Sequence, residues 1–279
     1  MANEKLNEYM FNVLKDENLS SSVKIKKLKY LFYLGGEVDY QEKSFGWSLL
    51  SKACDLGDEE VVSFLLEKKP NLELRNYASE TALMVAVRRG YVGIVDKLAL
   101  NNCDINKKFD SSQPLIKEAM SMGHVEMVSK LIDIGCDVNE VEASGWTFLK
   151  LAIHWENKEI FDVLLEKGAD VNESGMYRDT PLNDAVSTLK FDFVKKLVEK
   201  GADVNKKGSL GRNPLMFAII RKNEEMVQYL LDNGANWRLK DDYGADAIGY
   251  LKEYSCENFM KMFEEREKSL NMKSMGKDR

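Results

Sequence analysis

The sequence predicts an all-α fold built from one repeated helical unit. A large aliphatic residue, from Leu50 to Leu215, recurs three positions before each of six alanines. These alanines lie 33 residues apart, at Ala53, Ala86, Ala119, Ala152, Ala185 and Ala218. A fixed period of this length is typical of a solenoid, because one small helical module cannot bury its apolar face alone. We therefore expect six clear repeats over residues 44–240.

Each repeat is predicted to hold two helices and a closing turn. A Ser or Thr often lies five positions before the alanine, and Thr180-Pro181 shows why: Thr caps free amides and Pro presets the first helical turn. A second apolar stripe follows, as at 160–165, and then a turn such as Gly-Ala-Asp-Val-Asn at 168–172. Asp in these turns (Asp137, Asp170, Asp203) is interpreted as a turn residue that bonds its own backbone.

These motifs resemble the ankyrin repeat over residues 44–266. The segments 145–149 and 179–182 match the family's start, Gly123-His124 matches its central break, and the Gly-Ala-Asp-Val-Asn turns match its close. The His that ties neighbouring units in the family is replaced here by Ser51, Met84, Lys117, Lys150, Asn183 and Met216. The resemblance therefore implies the same fold with weaker coupling between repeats. The order Pro114-Leu115-Ile116 predicts an irregular first turn in the third repeat.

The two ends of the chain are predicted to close the stack. Residues 1–43 are interpreted as a divergent helical N-cap, because apolar residues keep helical spacing in two stretches. Residues 241–266 continue the 33-residue spacing and are interpreted as a C-terminal capping repeat with one face exposed to water. Residues 267–279 are predicted to form a polar tail.

Composition excludes several classes of protein. The net charge of −6, from 46 acidic and 40 basic residues, disfavours a nucleic-acid partner. No apolar run approaches the length of a membrane span. Four scattered cysteines favour a reducing, cytoplasmic location. Cys103 and Cys136 hold the same site in adjacent repeats and are expected to be small buried residues without a disulfide.

The sequence also argues against an enzyme. It has two histidines, His124 and His154, and neither has a metal-ligand or triad spacing around it. The Gly-rich stretch at 208–212 lies at a repeat turn and lacks the phosphate-loop pattern. We therefore expect no catalytic residue, no metal and no cofactor.

The resemblance implies a partner surface on a concave face made of hairpin tips and the exposed turn of each first helix. The repeat core does not need the aromatic residues at these places, and exposed Trp, Tyr and Arg often carry binding energy. The alternative is that the aromatic residues pack on neighbouring tips and stabilise the stack. The predicted partner-binding residues are Phe45, Trp47, Tyr77, Arg88, Arg89, Met122, Trp146, His154, Trp155, Tyr177, Arg212, Arg221 and Tyr243, with the acidic residues Asp55, Glu80, Asp110 and Asp179 beside them.

The leading hypothesis is a non-enzymatic interaction module that binds another protein, monomeric when alone, with no nucleic-acid or membrane partner. An adaptor, an inhibitor and a bacterial toxin-immunity protein are all compatible with it. The alternatives are a self-associating structural scaffold and a regulatory subunit of an enzyme encoded elsewhere.

Overall fold

The fold is described from a computed structural model of residues 2–106, 108 and 113–275. The chain forms two compact units, 1–138 and 139–279. Within the described ranges both units are helical, and their β-structure is limited to two isolated bridges, Gln41 with Ser48 and Val141 with Thr147. The all-α repeat fold predicted from the sequence is confirmed. Asp110 and Ser111, which fall at predicted surface positions, lie outside the described residues.

Unit 1 contains eight helices within the described residues. They are α1 Ala2–Lys15, α2 Ser21–Tyr33, α3 Leu49–Leu56, α4 Glu59–Leu66, α5 Ala82–Arg89, α6 Val92–Leu100, α7 Leu115–Ser121 and α8 Val125–Asp133.

Unit 2 also contains eight α-helices within the described residues. They are α9 Phe148–His154, α10 Lys158–Glu166, α11 Pro181–Ser187, α12 Phe191–Glu199, α13 Pro214–Ile220, α14 Glu224–Asp232, α15 Ala247–Glu253 and α16 Met260–Met275. The last helix extends into the segment 267–279, which was predicted to be a polar tail.

The first helix of every repeat begins four residues before the recurring alanine, or before Leu251 in the last repeat. These helices run from α3, which begins at Leu49, to α15, which begins at Ala247. The residue before it caps the helix: Ser48, Thr81, Thr147 and Asn213 each accept a hydrogen bond from the amide three positions on. Pro114 cannot do this, yet α7 starts in phase, so the irregularity expected there is limited to the missing side-chain cap.

The frame alanines are the tightest points of the core. All six are fully buried. Their small side chains let the first helices of adjacent repeats pack closely, with α3 against α5 in unit 1 and α11 against α13 in unit 2. A larger residue at these positions would overpack the helix pair, typically by about 1–3 kcal/mol.

Two residues at the start of second helices bond back to the preceding repeat. His124 Nε2 donates to the carbonyl oxygen of Arg88 at 3.0 Å. Lys190 Nζ, at the same phase in unit 2, donates to the carbonyls of Ile153 at 2.7 Å and His154 at 3.1 Å. Carbonyls at a helix C-terminus lack an intrahelical partner, so both side chains satisfy groups that would otherwise need water.

The closing turns form a ladder of side-chain hydrogen bonds. The Asn172 amide donates to Asp170 Oδ1 at 2.8 Å, which confirms the turn role predicted for Asp170, and Asn205 does the same with Asp203. Each Asn then accepts from the next turn, as Asn172 does from the Asp203 amide at 2.8 Å. The turns therefore couple neighbouring repeats through their backbones.

The cysteines differ from the expectation. Cys103 and Cys136 are half-buried, whereas Cys54 and Cys256 are the buried ones, and all four are free thiols. The turn that carries Cys103 and Cys136 lies near the solvent edge of the repeat, which is why a core position was the wrong expectation.

Candidate functional site

The predicted partner-binding residues divide between the two units. We call Phe45, Trp47, Tyr77, Arg88, Arg89 and Met122 the unit 1 face. We call Trp146, His154, Trp155, Tyr177, Arg212, Arg221 and Tyr243 the unit 2 face. Each is described separately.

Two aromatic residues project from the hairpin tips of unit 1. Phe45 is 66 % exposed and Tyr77 is 72 % exposed. The tips are joined by a hydrogen bond of 2.8 Å from the Tyr77 amide to the Phe45 carbonyl. Gly46 is required at this point, because a side chain there would meet the Tyr77 ring at 2.6 Å and the backbone has φ +70°. The exposed rings are therefore held on a defined backbone.

Trp47 is half-buried, so part of its ring remains accessible to solvent. Lys52 Nζ lies 5.4 Å from the centre of its ring, a cation–π contact that covers part of the indole. The same amine donates to Asp55 Oδ2 at 2.7 Å. Trp47 therefore packs on its own repeat as well as facing solvent.

The two arginines of the unit 1 face are already engaged in ion pairs. Arg89 donates to Asp55 Oδ1 from Nε at 2.9 Å and Nη2 at 2.6 Å, which bridges adjacent repeats. Arg88 makes a two-nitrogen contact with Glu80, which precedes the N-cap of α5. Burial opposes the charge of Asp55, but hydrogen bonds from Lys52 and Arg89 outweigh it and lower its pKa. These arginines are therefore held by carboxylates of the chain itself. The sequence did not show these ion pairs.

Met122 ends the unit 1 face at the C-cap of α7, where it is 49 % exposed.

In unit 2 three side chains follow one another at a spacing of four residues: Trp146, which lies two residues before α9, and Lys150 and His154 on α9. The rings of Trp146 and His154 meet edge to face, with centroids 5.2 Å apart. Lys150 Nζ lies 5.4 Å from the Trp146 centroid. Trp146 is consequently half-buried, with only part of its ring accessible, whereas His154 remains exposed.

Lys150 replaces the family His and hydrogen-bonds the fourth repeat to the fifth. Only 2 % of its side chain is exposed, and Nζ donates to the carbonyls of Asp179 at 2.8 Å and Ser174 at 3.2 Å. It also forms an ion pair with Asp184 Oδ2 at 3.1 Å. The long side chain thus ties α9 to the hairpin and first helix of the next repeat. The weaker coupling predicted from the lost His does not apply here.

Asp184 is the strongly perturbed acid of this cluster. Burial raises its pKa to about 6, although the ammonium of Lys150 opposes the shift, and the nearby Asp179 adds to it. The sequence offered a signal for Lys150, because a Lys replaces the family His, but none for Asp184, which lies beside the frame alanine in a helix.

Three exposed aromatic residues complete the unit 2 face. Trp155 is 39 % exposed, Tyr177 54 % and Tyr243 76 %. Tyr177 packs over Gly145, and the adjacent Met176 amide donates to the Gly145 carbonyl at 2.9 Å. This repeats the tip-to-tip contact of Phe45 and Tyr77 in unit 1, so both units present tyrosine on the same kind of hairpin.

The arginines of unit 2 differ from each other. Arg212 is half-buried, and its Nε donates to Tyr250 Oη at 2.8 Å, while Tyr250 donates to Asp241 at 2.7 Å. Arg221 is exposed at the C-cap of α13. Arg212 therefore serves the stack, and Arg221 is the arginine of this face that remains accessible.

The described residues hold no cluster of three or more His, Cys, Asp or Glu side chains able to bind a metal ion. Their helices include none that is long and apolar enough to cross a membrane.

Two known proteins are similar to a short segment of this chain. Two probable E3 ubiquitin-protein ligases of Oryza sativa subsp. japonica, XBOS33 and XBOS32, are 38 % and 40 % identical over 60 residues, which are 22 % of this chain and 12 % of each rice protein. This chain thus matches only a small part of those proteins.

Solved structures resemble most of the chain. The ankyrin repeat domain of Bcl-3, described as a unique member of the IkappaB protein family, aligns with a TM-score of 0.67 and 24 % identity over 74 % of this chain and 94 % of that one. The human ASB11 ankyrin repeat domain aligns at 0.56 and 24 %, over 73 % and 91 %. These likenesses show the fold.

The family profile described as ankyrin repeats in three copies matches residues 19–109, 93–175 and 173–241. Together with the in-phase helix starts, the glycine turns and the buried alanines, this match shows that the chain belongs to the ankyrin repeat family.

Proposed function

We propose that the chain is a non-enzymatic binding module that holds a protein partner on its hairpin tips and first helices, the concave side expected from the family. Ankyrin repeats are generally protein–protein interaction modules, and this chain has their fold. One observation carries the proposal: tyrosines and other large apolar side chains stand exposed at the phased tip positions although no core requires them.

The anchors we assign are the exposed members of each face. In unit 1 they are Phe45 and Tyr77, and in unit 2 they are Trp155, Tyr177 and Tyr243. Rigid aromatic anchors lose little entropy on binding, and the tip hydrogen bonds fix their backbones beforehand. The ion-paired Arg88 and Arg89 form a pre-ordered polar rim, and Arg221 adds an accessible positive charge.

The test is partner capture with one double variant and one contrasting single variant. Trp155→Ala with Tyr177→Ala removes two exposed anchors and should reduce capture at least tenfold, since each such anchor typically contributes about 2 kcal/mol. Its thermal midpoint should stay close to that of the wild type. Trp146→Ala is the contrasting variant: it uncovers Lys150, so we expect it to lower the midpoint.

Capture that survives the Trp155 and Tyr177 change, in a protein that remains folded, would refute the proposed face. Adaptor, inhibitor and immunity roles share this surface chemistry, and the identity of the captured protein separates them.

Two other functions give different results in the same preparation. A self-associating scaffold predicts a concentration-dependent mass for the purified chain. A regulatory subunit predicts a co-purified enzyme. The ubiquitin-ligase activity in the names of the rice proteins is not part of the proposal, because the similar segment is 12 % of each of them.

A further inference from the structure

Helix α2 has two apolar faces, and only one is covered. Its inner face packs into unit 1 through the buried Leu28 and Leu31. On the opposite side, at helical spacing, Val23 is 40 % exposed, Tyr30 63 % and Tyr33 85 %, and Leu34 follows at 48 %. The end unit of a repeat stack normally presents a polar outer face to water. This one presents tyrosines.

The same outer side carries unpaired positive charge. Helix α2 contains four lysines and no acidic residue. Lys24 is buried and pairs with Asp58, but no carboxylate among the described residues lies within ion-pair distance of Lys26, Lys27 or Lys29. Lys29 instead lies 5.7 Å from the ring centre of Phe64. We call Val23, Lys26, Lys27, Tyr30, Tyr33 and Leu34 the α2 outer patch.

Lysines on other second helices of unit 1 form ion pairs, unlike those of the α2 outer patch. Lys97 pairs with Glu59 at 3.5 Å, and Lys130 pairs with Asp96 at 2.7 Å, each across adjacent repeats. The whole chain has more acidic than basic residues, with a net charge of −6. Unpaired lysines concentrated on one helix of an acidic protein therefore mark a local field that attracts negative charge.

We propose that the α2 outer patch is a second docking surface, which binds a short acidic amphipathic segment of another protein. The tyrosines supply apolar contact area with a polar tip, and the lysines pair with the segment's carboxylates. A second copy of this chain is the wrong occupant, because a two-fold contact would place the lysines of one patch against those of the other. The patch shares no residue with the faces assigned above, so the proposal stands independently of them.

The experiment selects peptides from a random 16-residue phage-displayed library on the intact chain and measures synthetic copies by fluorescence anisotropy. We expect selected peptides that combine Asp or Glu with apolar residues. Their affinity should fall about tenfold or more with Tyr30→Ser plus Tyr33→Ser, and similarly with Lys26→Glu plus Lys27→Glu. Raising the salt concentration should also weaken binding, because exposed charges are screened.

The matched control is Lys5→Glu with Tyr9→Ser, which removes an exposed lysine and an exposed tyrosine of α1 and should leave affinity for these peptides unchanged. Lys27 is half-buried and the other altered side chains are exposed, so circular dichroism should show a midpoint close to that of the wild type for each variant. The proposal is overturned if no selected peptide loses affinity in the α2 variants, or if the selected peptides lack acidic residues. It is equally overturned if the α2 variants instead abolish binding to phosphatidylserine vesicles or a dimer seen by sedimentation.

Discussion

Asp184→Asn is the substitution that most directly tests the physical account of unit 2. In the folded protein the pKa of Asp184 is raised from 3.8 to about 6, chiefly by burial. The native state therefore holds a proton on this carboxyl in a range where the unfolded chain has released it. Stability contributed by this group must then fall as pH rises from about 4 to about 6, and must be level above that.

The magnitude follows from the size of the shift. One pKa unit corresponds to 1.36 kcal/mol, so a rise from 3.8 to about 6 gives at most about 3 kcal/mol. The side chain is 25 % exposed and lies 3.1 Å from the Lys150 amine, so we expect about 2 kcal/mol. An asparagine keeps an oxygen to accept from Lys150 but cannot titrate.

The assay is urea unfolding of wild type and Asp184→Asn at closely spaced pH values from 4 to 7.5. The free energy of unfolding of the wild type, minus that of the variant, should fall by about 2 kcal/mol across this range, with nearly all of the change below pH 6.5. A direct NMR titration of the Asp184 carboxyl should give the same midpoint.

Asp55→Asn is the control with the opposite sign. The pKa of Asp55 is lowered, because Lys52 and Arg89 outweigh its burial. Its contribution to stability should therefore be present at neutral pH and disappear as the solution is acidified below about 4. If the Asp184 difference is flat, or grows with pH as the Asp55 difference does, the ion pair with Lys150 dominates and the reasoning from burial is wrong.

Two further changes test the packing of unit 2. Lys150→Met removes the bonds to the Ser174 and Asp179 carbonyls and leaves Asp184 without its cation, so urea unfolding should show a loss of about 3 kcal/mol. Its control, Lys158→Met at the exposed pair with Asp192, should change the free energy of unfolding far less. Gly208→Ala should destabilise the protein, because the added methyl group would overlap Asp179 and Asn183. Gly249→Ala has room for the methyl group and should stabilise α15 by about 0.5–1 kcal/mol in thermal unfolding. Equal effects at the two glycines would contradict the packing described.

The sequence by itself determined the repeat. The alanine period requires a small residue wherever two first helices meet, and the structure buries all six alanines. Helix starts were equally readable, because a cap such as Thr147 or Thr180 acts on an amide three residues away. Such interactions lie within a few residues of each other, so a linear pattern contains them.

The tertiary structure alone decided which surface residues are free. Arg89 meets Asp55 and Lys150 meets Asp184, each pair 34 residues apart, so the partner comes from the neighbouring repeat. The repeat spacing placed Trp146 at a surface position. It did not show that the Lys150 amine and the His154 ring cover part of the indole. Periodicity assigns a residue to a face, whereas exposure and pKa depend on which long side chains the next repeat extends across that face.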